Sequence, residues 1–330
     1  MQAAWYSKNG EARDVLTLGD LPTPTPAANE VRVRLCTSGV NPSDVKSRRG
    51  RALVDAFVVP HSDGAGVIEA VGDQVSAGRI GERVWVWNGQ WQRPLGTAAT
   101  DIVLPTEQAV TLPDTTDFAA GACLGIPALT AYQAIRLLGD IRNKTVLVIG
   151  AASSVGHYAA QMAVLAGARV IATVGSPERA AHALTAGVET TINYKTDDVA
   201  ARIAVLTAGR GVDAIVDMDF SSTARLLTQG VLARHGVVAC YGSNESRDIG
   251  IGFREALFGS YSIRFFLVYD LTPTDRQAAI SGLLALLKKG TLLHTVGAQF
   301  ALNDIVAAHE AVEQGNLIGN VIITLPDSGT

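Results

Sequence analysis

Cysteine is scarce in this sequence, and long apolar runs are absent from it. The three cysteines, Cys36, Cys123 and Cys240, are far apart among 330 residues, and none belongs to a CxxC pair or a Cys/His cluster. This pattern excludes a disulfide framework and gives no sign of structural zinc. No stretch approaches the ~18 apolar residues that a membrane helix needs, and the N-terminus shows no signal-peptide pattern. We therefore expect a cytoplasmic protein without a membrane partner.

An excess of charge of one sign is also missing. The chain has 27 Lys and Arg against 31 Asp and Glu, a formal net charge of −4. No nucleic-acid partner is expected, because such partners are bound through a strong positive field. Bulk disorder is excluded, since 48% of the residues are hydrophobic and only 18% are charged. The length suggests two domains.

The two halves of the chain differ in pattern. Up to about residue 120, short alternating runs such as 31–35 and 83–87 are typical of β-strands, and the proline-rich segment 21–26 predicts an extended connector. From about residue 125, apolar runs alternate with alanine- and leucine-rich helical stretches, which indicates a parallel sheet covered on both faces. The six runs are 145–149, 169–174, 190–194, 213–217, 236–241 and 262–268. This α/β pattern predicts a doubly wound Rossmann sheet, followed by a helix over 274–289 and a strand over 319–325.

The segment 146–156, VLVIGAASSVG, is the strongest local signal. A buried strand runs into small residues and then into an alanine-rich helix, so backbone N–H groups and the positive helix end would face a pyrophosphate. The strict three-glycine fingerprint is not met, because Ser153 and Ser154 stand where glycine would be freer. We predict dinucleotide binding here; the alternative is a tight turn with a structural role alone.

The end of the next strand favours NADPH over NADH. Gly175 and Ser176 stand where an NAD site usually has Asp or Glu, so no acid at the strand tip repels a 2′-phosphate. Ser176 can donate a hydrogen bond, Arg179 can supply positive charge, and Tyr194 closes the following strand. The competing acid, Glu178, is expected to point away. In the alternative interpretation, Ser176 caps a helix and Arg179 is a solvated helix residue; both can hold together.

Several stretches together resemble the zinc-independent quinone oxidoreductase branch of the medium-chain dehydrogenase/reductase superfamily, over nearly the whole length. They are 39–44 (GVNPSD), 60–68 (PHSDGAGVI), 78–84, 129–132 (LTAY), 150–156, 192–194 (INY) and 241–243 (YGS). The resemblance implies a GroES-like β-rich catalytic domain over 1–124, a Rossmann NADP-binding domain over 125–268, and a return to the catalytic domain over 269–330.

The resemblance also implies roles for individual residues. Asn41 would lie near the nicotinamide and the substrate, and Thr130 would face the cofactor. The remaining cofactor contacts would come from Ala152, Ser153, Ser154 and Val155 at the pyrophosphate, from Ser176, Arg179 and Tyr194 at the 2′-phosphate, and from Tyr241, Gly242, Ser243, Phe266, Leu267 and Val268 at the ribose and carboxamide. Two further positions depart from the family pattern: Lys46 replaces a frequent tyrosine, and Asn320 replaces a frequent basic residue beside the 2′-phosphate.

The zinc-containing relatives are the main enzymatic alternative, a zinc-dependent alcohol dehydrogenase. Catalytic zinc needs Cys or His ligands and an open position. The resemblance places Asn41, Ser62 and Ile126 at the three ligand positions, and the cysteine-rich loop is absent between residues 85 and 110. We therefore predict no metal.

The predicted reaction is hydride transfer from NADPH to a quinone or an activated enone, since delocalisation in such acceptors stabilises the added charge without a metal. Lys46 is the candidate for stabilising negative charge or relaying a proton, and Asn41 for donating a hydrogen bond to the substrate oxygen. In the alternative, Lys46 forms a solvated loop face with Arg48 and Arg49. A different class also stays open: an NADPH-binding sensor or partner-binding module with little turnover.

The last predicted Rossmann strand, 262–268, is apolar and would lie at a sheet edge. An uncovered apolar edge favours pairing with another chain, and the resemblance implies the same, because relatives commonly form homodimers through this strand. We predict a homodimer with twofold symmetry. The alternative is a monomer in which the helix over 274–289 covers the edge.

Overall fold

The computed structural model describes residues 1–326 and contains two compact units. The terminal unit comprises Met1–Ile126 and the chain from Leu287 onward; the central unit comprises Pro127–Leu286. The boundaries that the sequence predicts for the domains, after residues 124 and 268, stay a prediction. No helix within residues 1–326 is long and apolar enough to cross a membrane.

The strands and helices are numbered in chain order. The strands are β1 Gln2–Trp5, β2 Thr17–Asp20, β3 Glu30–Val40, β4 Asp63–Val71, β5 Arg83–Val86, β6 Asp101–Pro105, β7 Ala109–Thr111, β8 Thr145–Val148, β9 Arg169–Val174, β10 Thr190–Asn193, β11 Val212–Asp217, β12 Leu232–Cys240, β13 Ser262–Phe265, β14 Val296–Ala301 and β15 Asn320–Thr324. The helices are α1 Ala12–Val15, α2 Pro42–Gly50, α3 Phe118–Gly121, α4 Leu129–Leu137, α5 Ser154–Leu165, α6 Pro177–Thr185, α7 Val199–Leu206, α8 Phe220–Leu227, α9 Phe253–Gly259, α10 Pro273–Lys288 and α11 Ile305–Gln314.

The terminal unit is built on a mixed sheet in the order β14-β15-β3-β4-β5-β7, with β6 also paired to β3. Burial alternates along β3, where Val31, Val33 and Leu35 face the core. This confirms the strands predicted over 31–35 and 83–87, and the proline-rich segment 21–26 is neither helix nor strand, as predicted. β15, predicted as a strand over 319–325, lies inside the sheet and pairs antiparallel with β3.

The central unit is a parallel six-stranded sheet in the order β10-β9-β8-β11-β12-β13. Its neighbouring strands all pair in parallel, and β8 is buried throughout. Continuous apolar runs form such strands because helices cover both faces. The predicted doubly wound fold is therefore confirmed, as is the helix predicted over 274–289, which forms α10.

The predicted strand over 262–268 was too long. β13 ends at Phe265, and after the amide of Phe266 donates to the Cys240 carbonyl the chain turns into a 3₁₀ turn at Val268–Asp270. Apolar composition alone does not show this end, because Phe266, Leu267 and Val268 are as compatible with a strand as the residues before them.

Candidate cofactor site and catalytic residues

The turn between β8 and α5 is tight because two glycines allow it. Gly150 has a left-handed φ of 68°, and its amide donates to Thr173 Oγ1 at 3.0 Å. A Cβ on Gly156 would lie 2.2 Å from the Gly150 carbonyl oxygen, so the first turn of α5 rests directly on the strand end. This brings the N-terminus of a 12-residue helix to the edge of the sheet, where an anionic group is favoured.

The two serines of this turn do not need glycine's freedom. Ser153 has an ordinary extended backbone (φ −79°, ψ 164°) and caps α5, since its Oγ accepts from the Gly156 amide at 3.1 Å. Ser154 begins the helix. Ser153, Ser154 and Val155 are half-buried and Ala152 is buried, so the turn keeps the backbone approach that a pyrophosphate requires.

The tip of β9 forms a second cap. Ser176 Oγ accepts from the Arg179 amide at 3.3 Å, and Pro177 occupies the first turn of α6. Arg179 is half-buried and Tyr194 is 55% exposed. A Cβ on Gly175 would lie 2.8 Å from the Tyr194 hydroxyl oxygen, so this phenol packs on the strand tip. The helix-cap interpretation of Ser176 is confirmed.

Glu178 lies near the Ser176 cap, and the expectation that its carboxylate points away from a 2′-phosphate stays a prediction. A hydrogen bond from the Ser176 side chain lowers the pKa of the Glu178 carboxyl. The Glu178 carboxylate is close to Ser176 because Glu178 lies in the first turn of α6, where the helix dipole favours a negative charge. The strand tip therefore carries both a cation and a carboxylate.

The ends of β12 and β13 line an open groove in the central unit. Its cavity volume is about 670 Å³, and it gathers Tyr241, Gly242, Ser243, Phe266 and Leu267, five of the predicted contact residues. The Tyr241 and Phe266 rings are 6.2 Å apart. Val268 is buried in the turn that follows, and Thr130 is buried in the first turn of α4.

The Tyr241 hydroxyl oxygen provides a test of whether a ligand fits here. It is buried and makes no hydrogen bond of ordinary geometry within residues 1–326. Burial raises the pKa of this phenol, and the proximity of Ser153 in the phosphate turn partly opposes the rise. An unmade hydrogen bond at a buried polar atom is costly. A polar ligand between Tyr241 and the turn would satisfy this atom, so the residues fit a dinucleotide.

In the terminal unit, Asn41 is held by two carboxyl groups. Its backbone amide donates to Asp44 Oδ2 at 2.7 Å, and its Nδ2 donates to Asp63 Oδ2 at 2.9 Å. Asn41 is buried, with 6% exposure, and caps α2. Lys46 lies on the exposed side of the same helix. Burial raises the pKa of Asp44 to about 7.

Asp63 is the residue of this group that the sequence analysis missed. It is fully buried, and burial raises the pKa of its carboxyl well above the usual range. The backbone of Gly125 closes over it, since a Cβ there would lie 2.4 Å from Asp63 Oδ1. The available signal was the acid within the apolar run PHSDGAGVI, because a buried acid in a strand requires a partner.

Arg48 contradicts the solvated loop face proposed for Lys46, Arg48 and Arg49. Residues 42–50 form a helix, and Arg48 is fully buried, with an ion pair to Glu313. Arg49 is exposed, as that interpretation required. The helical period explains the difference, because Lys46 and Arg49 share a face that Arg48 does not.

The three positions aligned with zinc ligands offer poor donors. They carry the amide of Asn41, the hydroxyl of Ser62 and the hydrocarbon side chain of Ile126. Ser62 Oγ accepts from the Gln90 amide at 3.4 Å. Both ring nitrogens of His61 are engaged, with Ser38 and with His309. Within residues 1–326, no group of three or more His, Cys, Asp or Glu is placed to hold a metal ion.

Asn320 and the other residues predicted at the 2′-phosphate belong to different units of the structure. Asn320 belongs to β15 of the terminal unit, where its Nδ2 donates to the Thr295 carbonyl at 2.9 Å. Ser176, Arg179 and Tyr194 belong to the central unit. Its role at a cofactor stays a prediction.

Comparison with known proteins places this architecture in a family. Residues 27–114 match the model of the alcohol dehydrogenase GroES-like domain, and residues 154–289 match that of the zinc-binding dehydrogenase domain. A quinone oxidoreductase of Pseudomonas aeruginosa is 32% identical, over 94% of this chain and 95% of that protein. The human quinone oxidoreductase is 30% identical, over 94% of both.

Solved structures agree with this placement. An NAD-dependent alcohol dehydrogenase superposes with a TM-score of 0.89 at 27% identity, covering 99% of this chain and 100% of that one. A quinone oxidoreductase of Pseudomonas syringae superposes with a TM-score of 0.84 at 28% identity, covering 98% and 99%. The chain belongs to the medium-chain dehydrogenase/reductase superfamily, with its GroES-like and Rossmann-like domains. Within that superfamily it belongs to the quinone oxidoreductase branch, and it is an oxidoreductase.

Proposed function

We propose that the protein transfers a hydride from NADPH to a quinone or an activated enone, without a metal. The observation that carries the proposal is the pairing of the capped phosphate turn with the buried, unsatisfied Tyr241 hydroxyl. Arg179 beside the Ser176 cap supports NADPH, and a mycobacterial relative of the same fold, 25% identical with a TM-score of 0.85, was solved with NADPH. The names of the relatives support a quinone acceptor.

The nicotinamide, when bound, supplies the hydride. The amide groups at the start of α5 bind the pyrophosphate, Ser176, Arg179 and Tyr194 bind the 2′-phosphate, and the groove residues Tyr241–Ser243 bind the ribose. Asn41, with one amide hydrogen directed at Asp63, keeps a second hydrogen for a substrate oxygen. Lys46, exposed on the same helix, stabilises developing negative charge or relays a proton.

Turnover with a panel of acceptors tests this function. We expect NADPH oxidation with benzoquinones and activated enones and none with simple ketones. We also expect no reduction of NADP+ by simple alcohols. An NADPH-induced rise in melting temperature without turnover of any acceptor would instead identify a sensor or binding module.

The purified protein should contain no stoichiometric zinc and should keep its quinone reductase activity in a chelator. The reason is that Asn41, Ser62 and Ile126 replace the sulfur and imidazole ligands that catalytic zinc requires. Elemental analysis and activity after dialysis against EDTA measure this. One tightly held zinc per chain, with activity lost on its removal, would establish the alcohol dehydrogenase alternative.

We propose further that the protein is a homodimer paired through β13. This strand lies at the edge of the central sheet, and Phe265 is 64% exposed there. Leu267 and, on the neighbouring helix α9, Phe253, Leu257 and Phe258 are also largely exposed. A twofold axis across β13 would bury these apolar side chains and satisfy the edge amides of both copies.

Light scattering at micromolar concentration should give twice the chain mass. Phe265→Lys should shift the protein towards monomer, because it places a charge in the buried centre of the paired edge. Val205→Lys is the matched control, since Val205 on α7 is 77% exposed and lies away from this edge. A wild-type mass near one chain would refute the dimer.

A further inference from the structure

A chain of hydrogen bonds runs through the interior of the terminal unit, from Arg48 to the backbone of Asp63. At its centre, Nε2 of His61 lies 2.9 Å from Nε2 of His309. The planes of the two imidazole rings are 24° apart and their centroids are 5.1 Å apart, so the rings meet edge to edge, and both residues are fully buried. One nitrogen of this pair must donate and the other must accept, so only one of the two Nε2 atoms carries the proton that they share.

The contact with Arg48 shows which nitrogen donates. Its Nε donates to Nδ1 of His309 at 3.4 Å. A guanidinium has only donors, so Nδ1 of His309 has to be the acceptor and carries no proton. The neutral His309 ring then carries its proton on Nε2 and donates it to Nε2 of His61. His61, accepting at Nε2, carries its own proton on Nδ1.

Hydrogen-bond donation continues in the same direction through the hydroxyl groups of Ser38 and Thr97. Nδ1 of His61 lies 2.9 Å from Ser38 Oγ, which accepts from it. Ser38 Oγ lies 2.8 Å from Thr97 Oγ1 and donates its proton there. Thr97 Oγ1 in turn donates to the backbone carbonyl of Asp63. Each link therefore has a single orientation, and both ends require the same one, since the Arg48 guanidinium can only donate and the Asp63 carbonyl can only accept.

The chain ends on the segment that holds Asn41. The Asp63 side chain accepts from Asn41 Nδ2 at 2.9 Å, and its backbone carbonyl accepts from Thr97. His61, two residues earlier, has a left-handed φ of 75°. This conformation is uncommon for a side chain with a Cβ and persists only where the surroundings impose it. His61 is held by hydrogen bonds on both ring nitrogens and by the Thr97 amide, which donates to its carbonyl at 2.9 Å.

We propose that Arg48 is a positioning residue. It donates at one end of the chain while the Asp63 carbonyl accepts at the other, so that His309 and His61 stay in the tautomers that the chain needs and the amide of Asn41 is held in place through Asp63. The proposal rests on the proposed role of Asn41 at the nicotinamide and substrate. Arg48 itself acts only through the intervening side chains.

The chain requires both imidazoles to be neutral. A protonated His309 would turn an N–H towards the Arg48 guanidinium, and a protonated His61 would turn an N–H towards that of His309. Burial lowers the pKa of His309 to about 3, with Arg48 lowering it further, and burial also lowers the pKa of His61. The other charges around Arg48 are Glu313 on α11, Arg49 on α2 and Glu11.

Nitrogen NMR of the full-length protein labelled at histidine tests the tautomers directly at neutral pH. We expect His309 to carry its proton on Nε2 and His61 on Nδ1, which is the less common tautomer of a neutral histidine. Either ring protonated at both nitrogens, or His61 carrying its proton on Nε2, would overturn the proposal. This measurement needs no substrate, so it stands even if the protein fails to reduce quinones.

Substitution tests the consequence for turnover. Arg48→Gln replaces a group that only donates with one that can also accept, and we expect kcat to fall about ten- to hundredfold with KM for NADPH unchanged. Arg48→Lys, which again only donates, should recover part of the loss. Arg49→Gln is the matched control, because Arg49 shares Glu313 but is exposed. A folded Arg48→Gln variant with wild-type kcat would refute the positioning role.

Discussion

Replacing Gly156 by alanine should weaken NADPH binding by about 100-fold, the scale of losing one or two hydrogen bonds to a charged group. A Cβ at this position would lie 2.2 Å from the Gly150 carbonyl oxygen, and this backbone atom has no room to move without opening the turn. The first turn of α5 would then move away from the strand end, and its backbone N–H groups would no longer point at the pyrophosphate.

Titration of the protein with NADPH, followed by fluorescence or calorimetry, measures the loss. Gly250→Ala provides the matched control, because nothing lies within 4 Å of the Cβ it would add and its φ is not left-handed. Thermal unfolding of both variants separates lost binding from lost folding. A Gly156→Ala protein that binds NADPH as tightly as wild type would show that the turn does not hold the pyrophosphate.

Arg179→Ala should weaken NADPH binding by about 1–3 kcal/mol, the scale of a charge-assisted contact, and leave NADH binding nearly unchanged. Among the groups of the cofactor, the guanidinium would contact the 2′-phosphate, which NADH lacks, whereas the Arg179 amide that Ser176 caps is retained in alanine. Glu178→Gln should have the opposite effect at the same site, since it removes the negative charge of a carboxylate close to the Ser176 cap. We expect it to tighten NADPH binding.

The comparison of NADPH and NADH dissociation constants at fixed ionic strength decides between the cofactors. An equal loss for both cofactors in Arg179→Ala would remove the basis for assigning NADPH. In that case, the Glu178 carboxylate beside the strand tip would favour an NAD-type site, where an acid holds the ribose hydroxyls.

The sequence was informative wherever a pattern repeats along neighbouring residues. The continuous apolar runs of the central sheet, the alternation in β3 and the small residues of the phosphate turn each define their own element. The same holds for the cap at Ser176, because serine before proline at a helix start is a local signal.

The sequence did not allow contacts between residues that are far apart in the chain to be predicted. His61 and His309 are 248 positions apart, and Arg48 and Glu313 are 265 positions apart. No local sequence pattern therefore predicts that the residues of either pair are buried in contact with each other. Lys46, Arg48 and Arg49 look alike in the sequence, and only the helical turn of α2 separates the buried guanidinium from the exposed charges. The burial of the Asp63 carboxyl could not be predicted for a related reason, since the backbone that encloses it, at Gly125, is distant in sequence.

The position of β15 inside the terminal sheet has a consequence for biosynthesis. The strand pairs with β3 on one side and β14 on the other, and Ile322 and Ile323 are fully buried. The central unit is continuous in sequence, so a ribosome releases all of it before the last strand of the terminal unit exists. Until then, β3 presents an open edge of Thr37–Val40, which a nascent chain leaves exposed to chaperones and to other strands. The Rossmann sheet should therefore form first during translation, and the sheet that carries Asn41 should close last.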